Sequence, residues 1–182
     1  RLSGMFDHQQ GYVRNAAAAR DEPDTRRYVI RSVMTWDLSA SLNATLKLQY
    51  SDLKTIGNPF ELLTPSSPAA AIAAGILDGG VPDRTKYELA VGVPDTVERQ
   101  RSYDPALIVK YELPGGYSLT STTGVSGFKF QYGFDSDSTP KAYLQSQFNE
   151  KYDQITEELR LASPVGGPVD YIVGVFAMRA KD

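Results

Sequence analysis

The sequence contains no cysteine and only one histidine, and its charged residues show no strong bias toward either sign. Without cysteine the chain has no disulfide framework and no thiolate metal site. With 23% charged residues and a formal net charge of -3, it lacks the basic excess that favours phosphate binding, so nucleic acid is not expected as a partner. These absences exclude classes of protein without locating the chain in the cell.

Long apolar runs are also missing. A membrane-spanning helix needs about 18 or more consecutive apolar residues, whereas the longest candidate, AAAIAAGIL at residues 69–77, is far shorter. The chain opens on RLSGMFDHQQ, which has no basic segment followed by an apolar stretch, so no signal peptide is predicted in it. If the protein is exported, these 182 residues are expected to be a mature or internal piece.

Residues suited to catalysis are scarce. A Ser-His-Asp relay would have to use His8, the single histidine, and no G-x-S-x-G elbow accompanies it. Glu157 and Glu158 could suggest an acid/base pair, but adjacent residues of a strand point to opposite faces. The sequence therefore predicts a protein that is not an enzyme, with no catalytic residues, no metal site and no cofactor.

Alternation of apolar and polar residues is the clearest pattern in the chain. In SLNATLKLQYSD, residues 41–52, one parity is apolar and the other is polar. This period of two predicts a β-strand whose faces differ, with Leu46 on one face and Lys47 on the other. Comparable patterns predict six further strands, near residues 1–8, 26–38, 103–113, 116–133, 154–164 and 169–178.

The predicted connections differ in length in a regular way. Tight turns at residues 36–41, 113–117 and 163–169 alternate with long polar stretches at residues 9–25, 54–99 and 134–151. Every short turn then lies at one end of an up-and-down antiparallel sheet. Outer-membrane barrels have this asymmetry, whereas Greek-key sandwiches mix loop lengths at both ends. We therefore predict an all-β fold, a segment of about seven strands of a larger transmembrane β-barrel, with short periplasmic turns and long extracellular loops.

Aromatic residues agree with a membrane setting. Tyr28 and Trp36 share a parity and lie eight residues apart, as do Tyr103 and Tyr111. Eight residues span ~26 Å along a strand, or about 20 Å of height at a tilt of about 40°, close to the spacing of two interfacial aromatic girdles. The alternative is that Tyr and Trp are simply good strand formers. In the barrel interpretation the strand at residues 41–52 turns Leu42, Ala44, Leu46 and Leu48 to lipid and Asn43, Thr45, Lys47 and Gln49 to the lumen.

Four motifs carry a resemblance to a known family. ELRLASP, a Gly-rich turn and an apolar strand follow one another at residues 158–178, and QQGYVRN at residues 9–15 contains G-Y-x-x-N. IRSVMTWDLSASLNATLKLQYSD at residues 30–52 forms two strands around a tight turn, and YSLTSTTGVSGFKF at residues 117–130 contains L-x-S-x-T-G. In this order they resemble the barrel of TonB-dependent outer-membrane receptors, particularly the branch common in sphingomonads and related proteobacteria. The loop at residues 55–98 lies outside the resemblance.

The resemblance implies a barrel of about 22 strands, plugged by an N-terminal domain. Such receptors take up a scarce ligand, such as a ferric siderophore, a cobalamin-like compound or an oligosaccharide, with energy delivered through TonB. The implied partners are outer-membrane lipid, the protein's own plug domain, TonB and the ligand, and the implied location is the outer membrane of a Gram-negative bacterium. Residues 1–182 would then be part of the barrel domain, without the plug, the TonB box and the C-terminal strands.

Two alternatives stay open, a passive outer-membrane porin and a secreted or periplasmic β-sandwich that binds carbohydrate. A receptor is expected to catch its ligand at the extracellular loops, with aromatic surfaces and charge at the mouth. The longest loop is predicted to contain a short helix at residues 67–80. The candidate ligand-binding residues are Tyr12, Arg14, Phe60, Tyr87, Phe134, Asp135 and Asp137.

Overall fold

A computed structural model describes residues 1–58, 60, 88–89, 96–136 and 144–182. The predicted all-β class is confirmed, since these residues form a main antiparallel sheet, a small sheet of three short strands and connecting segments. Within these ranges there is no helix that could cross a bilayer. The strands are β1 (Leu2–Gln9), β2 (Val13–Asn15), β3 (Arg20–Glu22), β4 (Asp24–Ser39), β5 (Leu42–Ile56), β6 (Glu88–Leu89), β7 (Val97–Tyr103), β8 (Ala106–Glu112), β9 (Ser118–Asp135), β10 (Gln145–Ala162) and β11 (Ile172–Lys181).

The strands of the main sheet pair as antiparallel neighbours in chain order. The sheet runs β1-β4-β5-β7-β9-β10-β11, and β8 pairs with the same two neighbours as β7. Tyr103 lies opposite Tyr50 and Ala106 lies opposite Lys47, so β7 and β8 keep one register against β5. They are one strand, interrupted where Pro105 has no N–H to donate to the ladder. The seven predicted strands and their up-and-down order are therefore confirmed.

The registers also fix which side chains share a face. Leu46 lies opposite Met34 and Leu107, so these three side chains lie on the same face, which we name the apolar face. Lys47 lies opposite Val33 and Ala106 on the other face, which we name the polar face. The prediction that the apolar and the polar residues of β5 lie on opposite faces of the sheet is confirmed.

Hydrogen bonds between side chains cross the strands on the polar face. Arg31 Nε donates to Gln49 Oε1 at 2.8 Å between β4 and β5. The hydroxyls of Ser51 and Ser102 lie 2.7 Å apart between β5 and β7. Because these groups satisfy one another across the sheet, this face is suited to water or to polar ligands.

No second layer of the described residues covers the apolar face. Ala44 is the one buried apolar side chain among them, at 8% exposure. A soluble domain buries such a face against a helix or a second sheet, so this face requires an apolar partner from outside the described residues. Fifteen large apolar side chains of this face are 37–72% exposed, and they are Leu2, Phe6, Tyr28, Ile30, Met34, Trp36, Leu48, Tyr50, Tyr103, Leu107, Tyr111, Ile155, Leu159, Val173 and Val175.

The predicted contrast between short turns and long loops holds for two of the three pairs of connections. Residues 40–41 join β4 to β5 and residues 113–117 join β8 to β9, and each follows a much longer connection. The third pair differs, because residues 136–144 and residues 163–171 are connections of equal length. The sequence prediction of a loop at residues 134–151 was wrong at both ends, where pairing extends β9 to Asp135 and starts β10 at Gln145.

Candidate functional site

The residues predicted to bind ligand are divided among separate parts of the structure. Tyr12 is 62% exposed in the first long connection, and Arg14 lies on β2, which forms a small sheet with β3 and β6. Phe60 is 65% exposed after β5. Tyr87, Asp137 and the predicted helix at residues 67–80 lie outside the described residues.

Phe134 and Asp135 belong to a strand, which corrects their prediction as loop residues. They are the last two residues of β9, paired with Ser146 and Gln145 of β10. Adjacent residues of a strand point to opposite faces, so Phe134 lies on the polar face and Asp135 on the apolar face. The two side chains cannot bind one small ligand together.

Phe134 belongs to a line of aromatic side chains on the polar face. Alternate residues of β9 share this face, and the register places Tyr152 and Phe148 of β10 opposite two of them. The line lies at the end of β9 that leads to the longer connections. We name it the aromatic ladder, and it consists of Phe128, Phe130, Tyr132, Phe134, Phe148 and Tyr152.

The rings of the ladder stack nearly parallel to one another. The ring centroids of Tyr132 and Phe134 are 5.0 Å apart with an interplanar angle of 19°. Those of Phe134 and Phe148 are 6.0 Å apart at 4°, and those of Phe128 and Tyr152 are 5.7 Å apart at 24°. These separations fall in the range of favourable offset stacking. Phe148 is 56% exposed, so its ring is available to a ligand.

Polar groups lie beside the ladder on the same face. On β7, Glu98 lies opposite Tyr132 and Gln100 lies opposite Phe130. Asn58 Nδ2 donates to the Tyr132 hydroxyl at 2.9 Å. Burial and the charge of Glu98 raise the pKa of Tyr132, so the phenol stays protonated at neutral pH. Flat rings bordered by amide and carboxylate groups are suited to binding planar aromatic groups or the apolar face of a sugar ring.

Buried contacts hold the start of the second long connection beside the ladder. Glu22 is 2% exposed, and its Oε1 pairs with Arg20 Nη2 at 2.8 Å. Gly57 has a φ of 90°, and a Cβ at this position would collide with the Glu22 side chain. Asn58, the next residue, donates to Tyr132. The glycine therefore allows the chain to bring this amide to the ladder.

Gly57→Ala is expected to loosen this connection. An alanine at positive φ costs about 1–2 kcal/mol, and its methyl group would displace the buried Glu22. Hydrogen exchange of the intact protein should become faster at residues 56–58. Gly133→Ala is the control, because a Cβ there meets nothing within 4 Å. Equal exchange in the two variants would contradict the assigned role of Gly57.

The ladder has a sequence signal that the prediction did not use. In FKFQYGF, residues 128–134, every second residue is aromatic, which is the period of a strand with one aromatic face. The prediction ended this strand at Gly133 because the following DSDSTPKAYLQSQ has no alternation. Phe148, one of the partners on β10, was therefore assigned to a loop.

No protein-family model, curated protein or solved structure matches the chain. Among the residues that the structure describes, no three His, Asp or Glu side chains form a group that could hold a metal ion. The chemistry available at the ladder is stacking, hydrogen bonding and charge.

Proposed function

We propose that the chain is part of the barrel wall of an outer-membrane receptor, which binds a scarce ligand at its outer mouth and imports it with energy from TonB. The exposed apolar face is the observation that carries the proposal. An antiparallel sheet that is apolar toward lipid and polar toward a lumen is the construction of a transmembrane barrel wall. Four ordered motifs resemble TonB-dependent receptors, and this resemblance is the reason for proposing that TonB supplies the energy for import.

Two rows of aromatic side chains border the apolar face and support this proposal. Tyr28 and Trp36 are eight residues apart on β4, and Tyr103 and Tyr111 are eight residues apart on β7 and β8. The upper row, nearer the longer connections, consists of Phe6, Tyr28, Tyr50 and Tyr103, and the lower row includes Trp36 and Tyr111. Tyr and Trp are enriched at both interfaces of such barrels.

The two rows slant across the sheet by the same amount. In the upper row, Tyr28 lies opposite residue 52 of β5 and Tyr103 lies opposite residue 50. In the lower row, Trp36 lies opposite residue 44 of β5 and Tyr111 lies opposite residue 42. Each row thus shifts by two residues over two strands. Strands ~4.8 Å apart and tilted by about 40° need a shift of ~4 Å, about one residue per strand, to keep side chains at one height. The shift from β4 to β7 and β8 is thus the one expected of two girdles in a tilted wall, whereas Phe6 of β1 lies directly opposite Tyr28 without a shift.

In this proposal the aromatic ladder lies on the lumen face at the outer mouth, where it stacks against the ligand. A passive porin would share the same wall. The ladder fits either function, and the resemblance of the four motifs is what favours a receptor. Uptake by a receptor should stop when the proton gradient is collapsed, and diffusion through a porin should continue.

Lipid contact is the decisive test, and single cysteines can report it because these 182 residues contain none. Leu46→Cys and Leu107→Cys would carry a fluorophore on the apolar face, and Thr45→Cys and Ile108→Cys would carry it on the polar face. With the intact protein in vesicles of acyl-brominated lipid, we expect strong quenching of the first pair and weak quenching of the second. Equal quenching at all four positions would overturn the proposal.

Glu157 provides a second test, because it is a carboxylate on the apolar face. Ser121 Oγ and Thr123 Oγ1 donate to its two oxygens at 2.7 Å and 2.5 Å. In a lipid-facing position a carboxylate costs free energy even when it is hydrogen-bonded, so Glu157→Leu should stabilise the barrel in bilayers. Glu158→Leu is the control on the polar face. It would leave Arg160 without this hydrogen-bonded partner, so it should destabilise the folded protein. Urea titration in vesicles measures both, and a destabilising Glu157→Leu would argue against lipid contact.

A further inference from the structure

One carboxylate of the apolar face lies between the two aromatic rows. The registers across β9 align Tyr103 with residue 153 of β10 and Tyr111 with residue 161. Glu157 is midway between these two positions, and its side chain is exposed. An ionisable group at this depth of a bilayer is costly, and such groups have a function or a partner where they occur. A role in the barrel wall alone does not account for this glutamate.

A guanidinium lies on the same face of the next strand. Arg179 of β11 is paired with Ile155, two residues nearer the upper row than Glu157. The residue paired with Glu157 itself is Ala177, whose side chain is small and exposed. An acid, a base and a small residue are therefore neighbours within the apolar face of β10 and β11.

Glu157 and Arg179 do not pair with each other within the chain. The Glu157 carboxylate is turned to β9, where it accepts hydrogen bonds from Ser121 Oγ and Thr123 Oγ1. A carboxylate has about four acceptor positions, so roughly half of them remain for further donors. Arg179 forms no ion pair with any of the described residues. Both charged groups thus retain the capacity to bind a partner from outside the described residues.

A second copy of the chain can supply the partner of both groups at once. A two-fold axis along the membrane normal, between β10 and β11, places β10 of one copy against β11 of the other. Glu157 of each copy then meets Ala177 and Arg179 of the other copy, and the same contact is made twice. An arginine and a carboxylate can form two parallel hydrogen bonds, which are strong where water is excluded. Two groups that are costly for a single copy in lipid become favourable across this contact.

The surroundings of Glu157 also fit a contact between two barrel walls. Lipid is as apolar as the wall itself, so association in a membrane depends on small residues that allow close packing and on polar contacts. Ala177 and Thr123 are the residues paired with Glu157 on its two sides, and both are small. On the side toward the lower row, Leu159 and Val175 face each other and are 40% and 68% exposed. These two residues supply apolar surface beside the charged pair.

We propose that the apolar face of β10 and β11 is a contact between two copies of this protein, in which Glu157 of each copy pairs with Arg179 of the other. The proposal rests on the proposed function, because it requires this face to lie in the bilayer. Charge complementarity selects a second copy, since the acid and the base are arranged to complement themselves. The stabilisation expected for Glu157→Leu applies to copies that are dilute in lipid and apart.

Charge reversal tests the pairing between copies. Val165, 92% exposed in the connection between β10 and β11, is replaced by cysteine to carry a donor or an acceptor fluorophore. The intact protein in phosphatidylcholine vesicles should then show energy transfer between copies. Glu157→Arg alone and Arg179→Glu alone bring like charges together, so each should weaken association by about tenfold or more. Donor-labelled Glu157→Arg mixed with acceptor-labelled Arg179→Glu should restore transfer, because both contacts then join an arginine to a glutamate.

Two further variants make the test specific. Restored transfer in the mixture cannot come from a pair within one chain, because neither variant contains such a pair. Glu157→Gln keeps the size of the side chain and adds no arginine to the lipid face, so it reports on the contact even if Glu157→Arg fails to fold. It should also weaken transfer. Lys54→Glu is the control, since it reverses a charge on the same face of β5, away from the contact, and should leave transfer unchanged.

Three results would overturn the inference. The wild type could show no more transfer than the charge-reversed variants, the mixture of folded variants could fail to restore it, or Glu157→Gln could leave it unchanged. The quenching experiment at Leu46 and Thr45 separates this inference from the function on which it rests, because β5 lies outside the contact. Quenching at Leu46 without energy transfer rejects only the contact between copies, and the absence of quenching rejects both.

Discussion

Replacing Leu46 by arginine is expected to destabilise the protein in a bilayer by about 2–4 kcal/mol if the sheet is the barrel wall proposed above. Leu46 lies between the two aromatic rows, and its cross-strand neighbours on the apolar face are Met34 and Leu107. An arginine near the bilayer midplane has no water or counter-ion there, so the bilayer must deform or the strand must shift. Urea titration of the intact protein in phosphatidylcholine vesicles measures the loss.

Lys47→Ala is the matched control for this substitution. It changes the adjacent residue of the same strand, so position and backbone pairing are nearly the same, but its side chain lies on the polar face. We expect it to be close to neutral for folding. If Lys47→Ala were as damaging as Leu46→Arg, the assignment of the two faces to lumen and lipid would be wrong.

The strands were predictable where the two faces of a strand carry different kinds of side chain. On β5, the alternation of residues 42–50 follows directly from one apolar and one polar face. The same period places Tyr28 and Trp36, which are eight residues apart, on one face of their strand. A departure from the alternation was also visible in the sequence. Glu157 and Glu158 are adjacent in a strand, so one of the two carboxylates had to lie on the apolar face.

The register between strands was not predictable, because it depends on pairing between segments that are distant in sequence. Arg101, Lys129 and Lys151 are each unremarkable in their own strand, and only the pairing of β7, β9 and β10 brings them together. The same holds for Phe148, which lies in a polar segment without alternation and acquires its role from the rings opposite it. Local periodicity carries information about faces, not about neighbours.

The aromatic ladder and the cluster of Arg101, Lys129 and Lys151 lie at the same end of the sheet on opposite faces. Phe130 of the ladder follows Lys129 directly, and both are beyond the upper aromatic row. The lower end of the sheet has neither feature in the described residues.

Removing rings from the ladder is expected to weaken ligand binding by about tenfold for each ring, because one stacking contact contributes about 1.5 kcal/mol. Phe134→Ala should show the single loss, and Phe134→Ala with Phe148→Ala a loss of about a hundredfold. Intrinsic fluorescence of the intact protein, titrated with maltoheptaose and with a ferric tris-catecholate complex, measures binding of a sugar and of a siderophore-like probe. Phe176→Ala is the control, since this 63% exposed ring lies on β11 of the same face. If a probe binds and the ladder variants bind it as tightly as the control does, the ladder is part of the wall and not of the ligand site.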